Sequence, residues 1–337
     1  MIRFTKLLLM AGVLGLSILA EPVVAETPAD TLVIAKQIDD IITLDPAEVF
    51  EFSGGEVIAN VYDRIMTYEA EDTQTLVPGV AESHSVSQDG KTITLKIRAG
   101  QKFHSGNPLT AEDVAFSIQR VIILNKTPAF IFSQLGWTPE NVKDLVKAKD
   151  ELTVDLTITE DFAPTFVLNC LSAGVGSVVD KKLVLEHETN GDLGYAWVKT
   201  NSAGSGPFVL KSWKPNETVM LEANPAFRRG APGMARVVIR HVPEPAAQRL
   251  MLEKGDADLV RNLTADQIQG IAGNADLVVD NYPKADVYYL ALNQKDERLA
   301  KPQVRQAVRW LIDYQGMVDS FLKGRFKVHQ SFWPSGF

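Results

Sequence analysis

The sequence holds a single cysteine, Cys170, in 337 residues, so no intrachain disulfide is available and stability must come from packing, which suits a large chain better than a small one. Apart from Asn169, the nearest neighbours of Cys170 are apolar (Val167, Leu168 and Leu171), the setting of a core thiol rather than a reactive one. Histidine is scarce as well. The five, at 84, 104, 187, 241 and 329, are scattered and none sits in an H-E-x-x-H spacing, so no metal site and no cofactor are expected. Beyond the first residues no stretch reaches about 18 uninterrupted apolar positions, which excludes a membrane-spanning helix there. Basic clusters are also absent: 34 Lys and Arg stand against 42 Asp and Glu, net charge −8, a balance without the electrostatic footprint of a nucleic-acid partner. There are no low-complexity tracts and no short-period repeat.

The N-terminus carries Arg3 and Lys6, an apolar run from Leu7 to Ala20, and Val23-Val24-Ala25. That is the pattern of an export signal cleaved after Ala25. No cysteine follows it, so a lipid anchor is not expected. Setting residues 1–25 aside leaves 32 basic and 41 acidic residues. With 45% hydrophobic residues overall, this length predicts substantial cores in two or more lobes.

"TLVIAKQIDDIITLDP" opens with a compact strand, Leu32 to Ala35, and "VFEFSGG" sets Phe50 and Phe52 against a Ser53-Gly54-Gly55 break. Val57, Ile58, Val61 and Ile65 follow at helical spacing. Asp89-Gly90 predicts a hairpin turn, with Ile93, Leu95 and Ile97 alternating after it. In "FHSGNPLTAEDVAFSIQR", Ser105 to Pro108 form a turn, Thr110 and Asp113 a capping box, and Leu109 and Val114 a hydrophobic staple. Val114, Ile118 and Val121 then make one stripe, and His104 before the turn reads as structural. "ELTVDLTI" repeats the two-residue period, so residues 60–170 read as a compact α+β unit.

A second unit opens at "NSAGSGPFVLKSW", with strands at Phe208–Leu210, Val219–Leu221 and in "ARVVIRHV". Pro245 begins a helix that Gly255 ends. Thr264 and Gln267 form a second capping box, with Leu263 and Ile268 as its staple. The alternation of strands and helices predicts an α/β layer arrangement. "VYYLALN" reads as a further strand, and "KPQVRQAVRWL" as a helix with Val304, Ala307, Val308 and Leu311 on one face. The chain ends on Phe332, Trp333 and Phe337, aromatics that normally pack against something.

Enzyme motifs fail in turn. "AGVGSVV" has Val179 where a dinucleotide loop needs a third small residue, and "GSG" at 204–206 is not G-x-S-x-G. Carboxylates are plentiful (Asp39, Asp40, Glu48, Glu51, Glu160, Asp161), but a glycosidase needs two facing one cleft, which proximity in sequence does not supply. "AFRRGAP" holds two arginines able to meet a carboxylate, with an exposed turn as the favoured reading. A secreted hydrolase, and an interaction or chaperone-like module without a small ligand, stay open as alternatives.

"LVPGVAESHSVSQDGKTITLKIRAGQKFHSGNPLTAEDVAFSIQRV", "GSGPFVLKSWKPNETVMLEANPAFRRG" and "YYLALNQKDERLAKPQVRQAVRWLIDYQGMV", in that order, resemble three marks of the family 5 extracellular solute-binding proteins, periplasmic receptors of ABC importers. The resemblance implies an α/β, two-lobed periplasmic binding protein (type II, cluster C-like) with an extra α+β subdomain. On that template residues 26–60 and 173–277 build lobe I, 61–172 the subdomain and 278–337 the start of a second lobe. Members are longer, so the second lobe is expected to be incomplete and binding weak or lost. The implied activity is non-enzymatic: a periplasmic monomer delivers a small solute, most readily a peptide, to the permease subunits of an importer. Contacts from the loop after the first strand, from "FIFSQLGW" and from the crossover would fall on Phe50, Phe52, Ser53, Gly54, Trp137 and Ser205.

Overall fold

The computed structural model describes residues 27–69, 72, 75–282 and 286–332. The expected export signal, Trp333 and Phe337 lie outside the described residues. Among those described, the strands are β1 Thr31–Lys36, β2 Met66–Tyr68, β3 Leu76–Pro78, β4 Ala81–Val86, β5 Thr92–Ile97, β6 Val146–Asp150, β7 Thr153–Thr157, β8 Phe208–Lys214, β9 Thr218–Ala223, β10 Arg236–His241 and β11 Leu259–Val260. One sheet has the order β11-β1-β10-β9-β8 and another β4-β5-β7-β6, with β2 and β3 as a separate pair.

In the four-stranded sheet every pair is antiparallel, and the expected hairpin turns at Gly90, whose φ of 73° glycine adopts without a Cβ clash. Ile93, Leu95 and Ile97 of β5 are fully buried, as are Val154 and Leu156 of β7. They share one apolar cluster with Val114, Ile118 and Val121 of the Ala111–Leu124 helix. Each such side chain contributes about 1.5–3 kcal/mol relative to exposure. The helix starts where its capping box predicts: Asp113 Oδ2 accepts the Thr110 N–H at 2.9 Å and its hydroxyl at 2.8 Å. Leu109 and Val114, the staple, are buried.

In the five-stranded sheet β1 runs parallel to β10 and β11, while β10, β9 and β8 are antiparallel. Its core face packs Ile34, Leu221, Val237 and Ile239 with Val57, Ile58 and Val61 of the Phe52–Val61 helix. The opposite face carries a smaller cluster of Val33, Ala35 and Ala257, with Met251 of the Pro245–Lys254 helix against it. That helix ends as expected on Gly255, at φ 76°.

Buried polar contacts join the two sheets' cores. Arg120, from the middle of the Ala111–Leu124 helix, forks onto Asp45 in the loop after β1, Nη1–Oδ1 2.7 Å and Nη2–Oδ2 2.6 Å, and donates from Nε to Leu193 O. Asp180 Oδ2 accepts from Ser105 and Asn107 of the turn before that helix. His104 also serves the joint, as its structural reading requires: its N–H reaches Gly204 O at 2.9 Å and its Nε2 pairs with Gly206 O at 3.0 Å.

Three expectations are corrected. Ser53-Gly54-Gly55 does not break the chain but forms the first turn of the Phe52–Val61 helix. The first N–H groups of a helix need no intrahelical partner, and Asp40 Oδ2 accepts that of Ser53 at 3.0 Å. The "AFRRGAP" arginines are not idle on an exposed turn: Arg228 forks onto Asp63 and Arg229 pairs with Glu69. "VYYLALN" is not a strand; Tyr288, Tyr289 and Leu290 are exposed, and with no sheet neighbour among the described residues its backbone has no ladder to join. The Pro302–Leu311 helix forms, yet none of its residues is buried.

Candidate ligand-binding face

Because β1, β10 and β11 are parallel, their carboxyl ends meet at one edge of the sheet, with Lys36 opposite His241 and Ala35 opposite Val260. Such an edge is where open α/β sheets take ligands. The chain leaves β1 there and is held by side chains of its neighbours: Gln37 N–H donates to Asn262 Oδ1 at 2.9 Å and Ile38 N–H to His241 Nδ1 at 3.1 Å. Glu56, one turn into the Phe52–Val61 helix, accepts from Lys36 at 2.5 Å and from Arg261 at 2.6 Å, clamping the helix to the strand ends.

Glu51 shapes the loop before that helix. Its Oε1 accepts the Ile42 N–H at 3.2 Å and its Oε2 the Phe50 N–H at 2.9 Å. With its carboxylate so occupied, the flanking aromatics face outward: Phe50 is 58% and Phe52 74% exposed. Phe50 meets Phe130 edge to face at 5.8 Å, and Phe130 and Ile42 are themselves more than half exposed. The loop after β1 and the start of "FIFSQLGW" thus form one apolar surface, of a kind monomeric proteins reserve mainly for binding.

Beside it lies an open depression of about 290 Å³, lined by Phe50, Glu51, Phe52, Ile58, Arg64 and Gly174 among others. Arg64 Nη1 donates to Ser172 O at 3.1 Å, while its Nε is buried without a partner. Burial holds the guanidinium pKa below its ordinary value. A cavity of about 410 Å³ opens between the same helix and the sheet; Leu32, Ile34, Val57 and Ile239 line it, with Glu56 and Asn60 as polar members.

Of the six residues singled out by the sequence, Phe50, Phe52, Ser53 and Gly54 come together at this face. Ser53 and Gly54 are buried beneath it; the Ser53 hydroxyl donates to Gln37 O, and a Cβ at Gly54 would lie 2.9 Å from Glu51 Oε1. Trp137 does not join them. It is fully buried, stacked edge to face with Phe132, and its indole N–H donates to Thr157 O at 2.7 Å. Ser205 is buried at the other end of the helix, roughly 15 Å away by helical rise, where a Cβ on Gly204 would lie 2.1 Å from Val61 O. The same face also brings in Phe130, the first residue of "FIFSQLGW", and Arg64, neither singled out by the sequence. Phe130 and Phe132 sit two apart in one short helix, one exposed and one buried, and only the fold says which. "YDRIM" carries no local mark at all.

A family model described as the bacterial extracellular solute-binding proteins, family 5 middle, matches residues 75–337. Among curated proteins, a probable D,D-dipeptide-binding periplasmic protein of Escherichia coli, DdpA, is 34% identical over 315 residues, 93% of this chain and 58% of that protein. The chain therefore spans about three fifths of that relative's length. Among solved structures, the Campylobacter jejuni protein NikZ, in complex with Ni(L-His), superposes with a TM-score of 0.74 at 25% identity, covering 88% of this chain and 56% of that one. DppA from Helicobacter pylori, in complex with the peptide STSA, gives 0.79 at 23% identity over 90% and 60%.

Proposed function

The chain belongs to the bacterial extracellular solute-binding proteins of family 5, and from that membership we propose that it is a solute-binding receptor, without catalytic activity, that serves an ABC importer outside the cytoplasmic membrane. Peptides are the favoured solute class, because the curated relative that is 34% identical is named for dipeptides. The observation that carries the reading is the exposed Phe50, Phe52 and Phe130 surface at the carboxyl edge of the parallel strands. Apolar walls with a few convergent polar groups are what a small-solute site needs. The receptor acts as a monomer and hands its solute to the importer's permease subunits.

The test is a thermal melt of the purified chain with and without pooled di- to pentapeptides. A ligand that prefers the native state raises its apparent stability, by about 2.7 kcal/mol at a hundredfold excess over Kd. Weak binding predicts a small upward shift, reduced further in Phe52→Ala. A transition that stays put with every pool counts against peptides as the solute.

A further inference from the structure

We propose that Arg64 is an anion-reading residue of the depression beside Phe50 and Phe52, and that the solute enters it carboxylate first. This deepens the receptor reading, on which it rests for the ligand being a solute at all.

Among the described residues the Arg64 side chain forms no ion pair, and its one hydrogen bond is to the Ser172 carbonyl, at 3.1 Å. Its Nε is shut off from solvent and has no acceptor. A guanidinium in that condition has lost part of its hydration without gaining a countercharge, which an anion meeting its remaining Nη hydrogens would supply. Glu51, the carboxylate of the same depression, has its oxygens on the Ile42 and Phe50 N–H groups. The lowered pKa of Arg64 has the same cause, burial with no compensating acid. Arg98 also has a buried, unpartnered Nε, but it lines neither the depression nor the larger cavity.

The position is rigid. Arg64 pairs with Ser177 as an isolated β-bridge, and its carbonyl accepts the Val80 N–H at 2.8 Å, so the side chain projects from fixed backbone where the two cores meet. A planar fork of donors on a rigid base suits a carboxylate, which a guanidinium binds with two parallel N–H···O bonds. The depression, about 290 Å³, admits the end of a small solute rather than a whole oligopeptide, and its aromatic walls would hold the adjoining apolar group.

The test is an NMR titration of the full chain labelled with ¹⁵N-arginine. The Arg64 Nε–H signal is assigned by through-bond correlation, so no variant has to fold. The probes are N-acetylalanine and its amide, which differ in the carboxylate alone. The acid is expected to displace the signal saturably, with half-saturation at least about tenfold lower than for the amide. A signal unmoved by the acid, or moved equally by the amide, overturns the assignment. If peptides shift the melt while this signal stays still, the receptor reading stands and Arg64 has no part in it. A signal that moves while no peptide shifts the melt supports the anion site and removes peptides as its solute.

Discussion

His104 stands out among the titratable side chains of the joint because its burial has a measurable consequence. Burial holds its pKa below the ordinary 6.5, partly offset by the bond to Gly206 O and by Asp63. The neutral ring is therefore the folded form, with Nε2–H donating to Gly206 O. In the unfolded chain the ring takes up a proton near 6.5, while the folded protein does so only at lower pH. Stability is thus fully present above about 6.5 and falls as pH drops toward the folded value. His104→Gln keeps a donor and removes the titration. Denaturant midpoints from about pH 7.5 down to about 5 should show a smaller loss in the variant than in the wild type; equal losses would mean that burial does not perturb His104.

The Phe52–Val61 helix is the element on which the binding face depends, and its start rests on a distant residue. Glu51, at the N-cap, makes no side-chain cap bond; the bond to the Ser53 N–H comes from Asp40. Asp40→Ala should cost about 1 kcal/mol, within the usual range of 0.5–2 for losing a cap, read as a lower denaturant midpoint at unchanged m-value. The local alphabet read most elements correctly where the code is local. The Thr110–Asp113 box, the turn at Gly90 and the Pro245-to-Gly255 helix are all set by residues within a few positions of one another. It failed at Ser53-Gly54-Gly55, because the capping group lies 13 residues upstream, and at "VYYLALN", because a strand exists only when another strand pairs with it.

In the whole molecule, residues 27–277 hold two cores locked together by Arg120 on Asp45, Arg228 on Asp63 and the Asp180 contacts, whereas the Pro302–Leu311 helix buries nothing. Local stability follows buried apolar contact. Hydrogen exchange should therefore find the strongest protection in β1, β5, β7 and β10 and little in residues 302–319. Strong protection of that helix in the isolated chain would show that it packs in a way not seen here.

What the sequence determined by itself was the local grammar and the family-level architecture: the capped helix, the hairpin, the structural His104, the core Cys170, and a loop after the first strand rich in aromatics. Cys170 is indeed buried, its thiol pushed up to about 11 by desolvation. What only the tertiary structure decided was which side chains share a surface. Phe50 meets Phe130 across 80 positions, Arg64 faces the loop that Glu51 folds, and Trp137 turns inward while Phe130 turns out. Local preferences act over a turn or a pair of strands, but a binding face is assembled by burial, which selects neighbours by how whole elements pack and not by their distance along the chain.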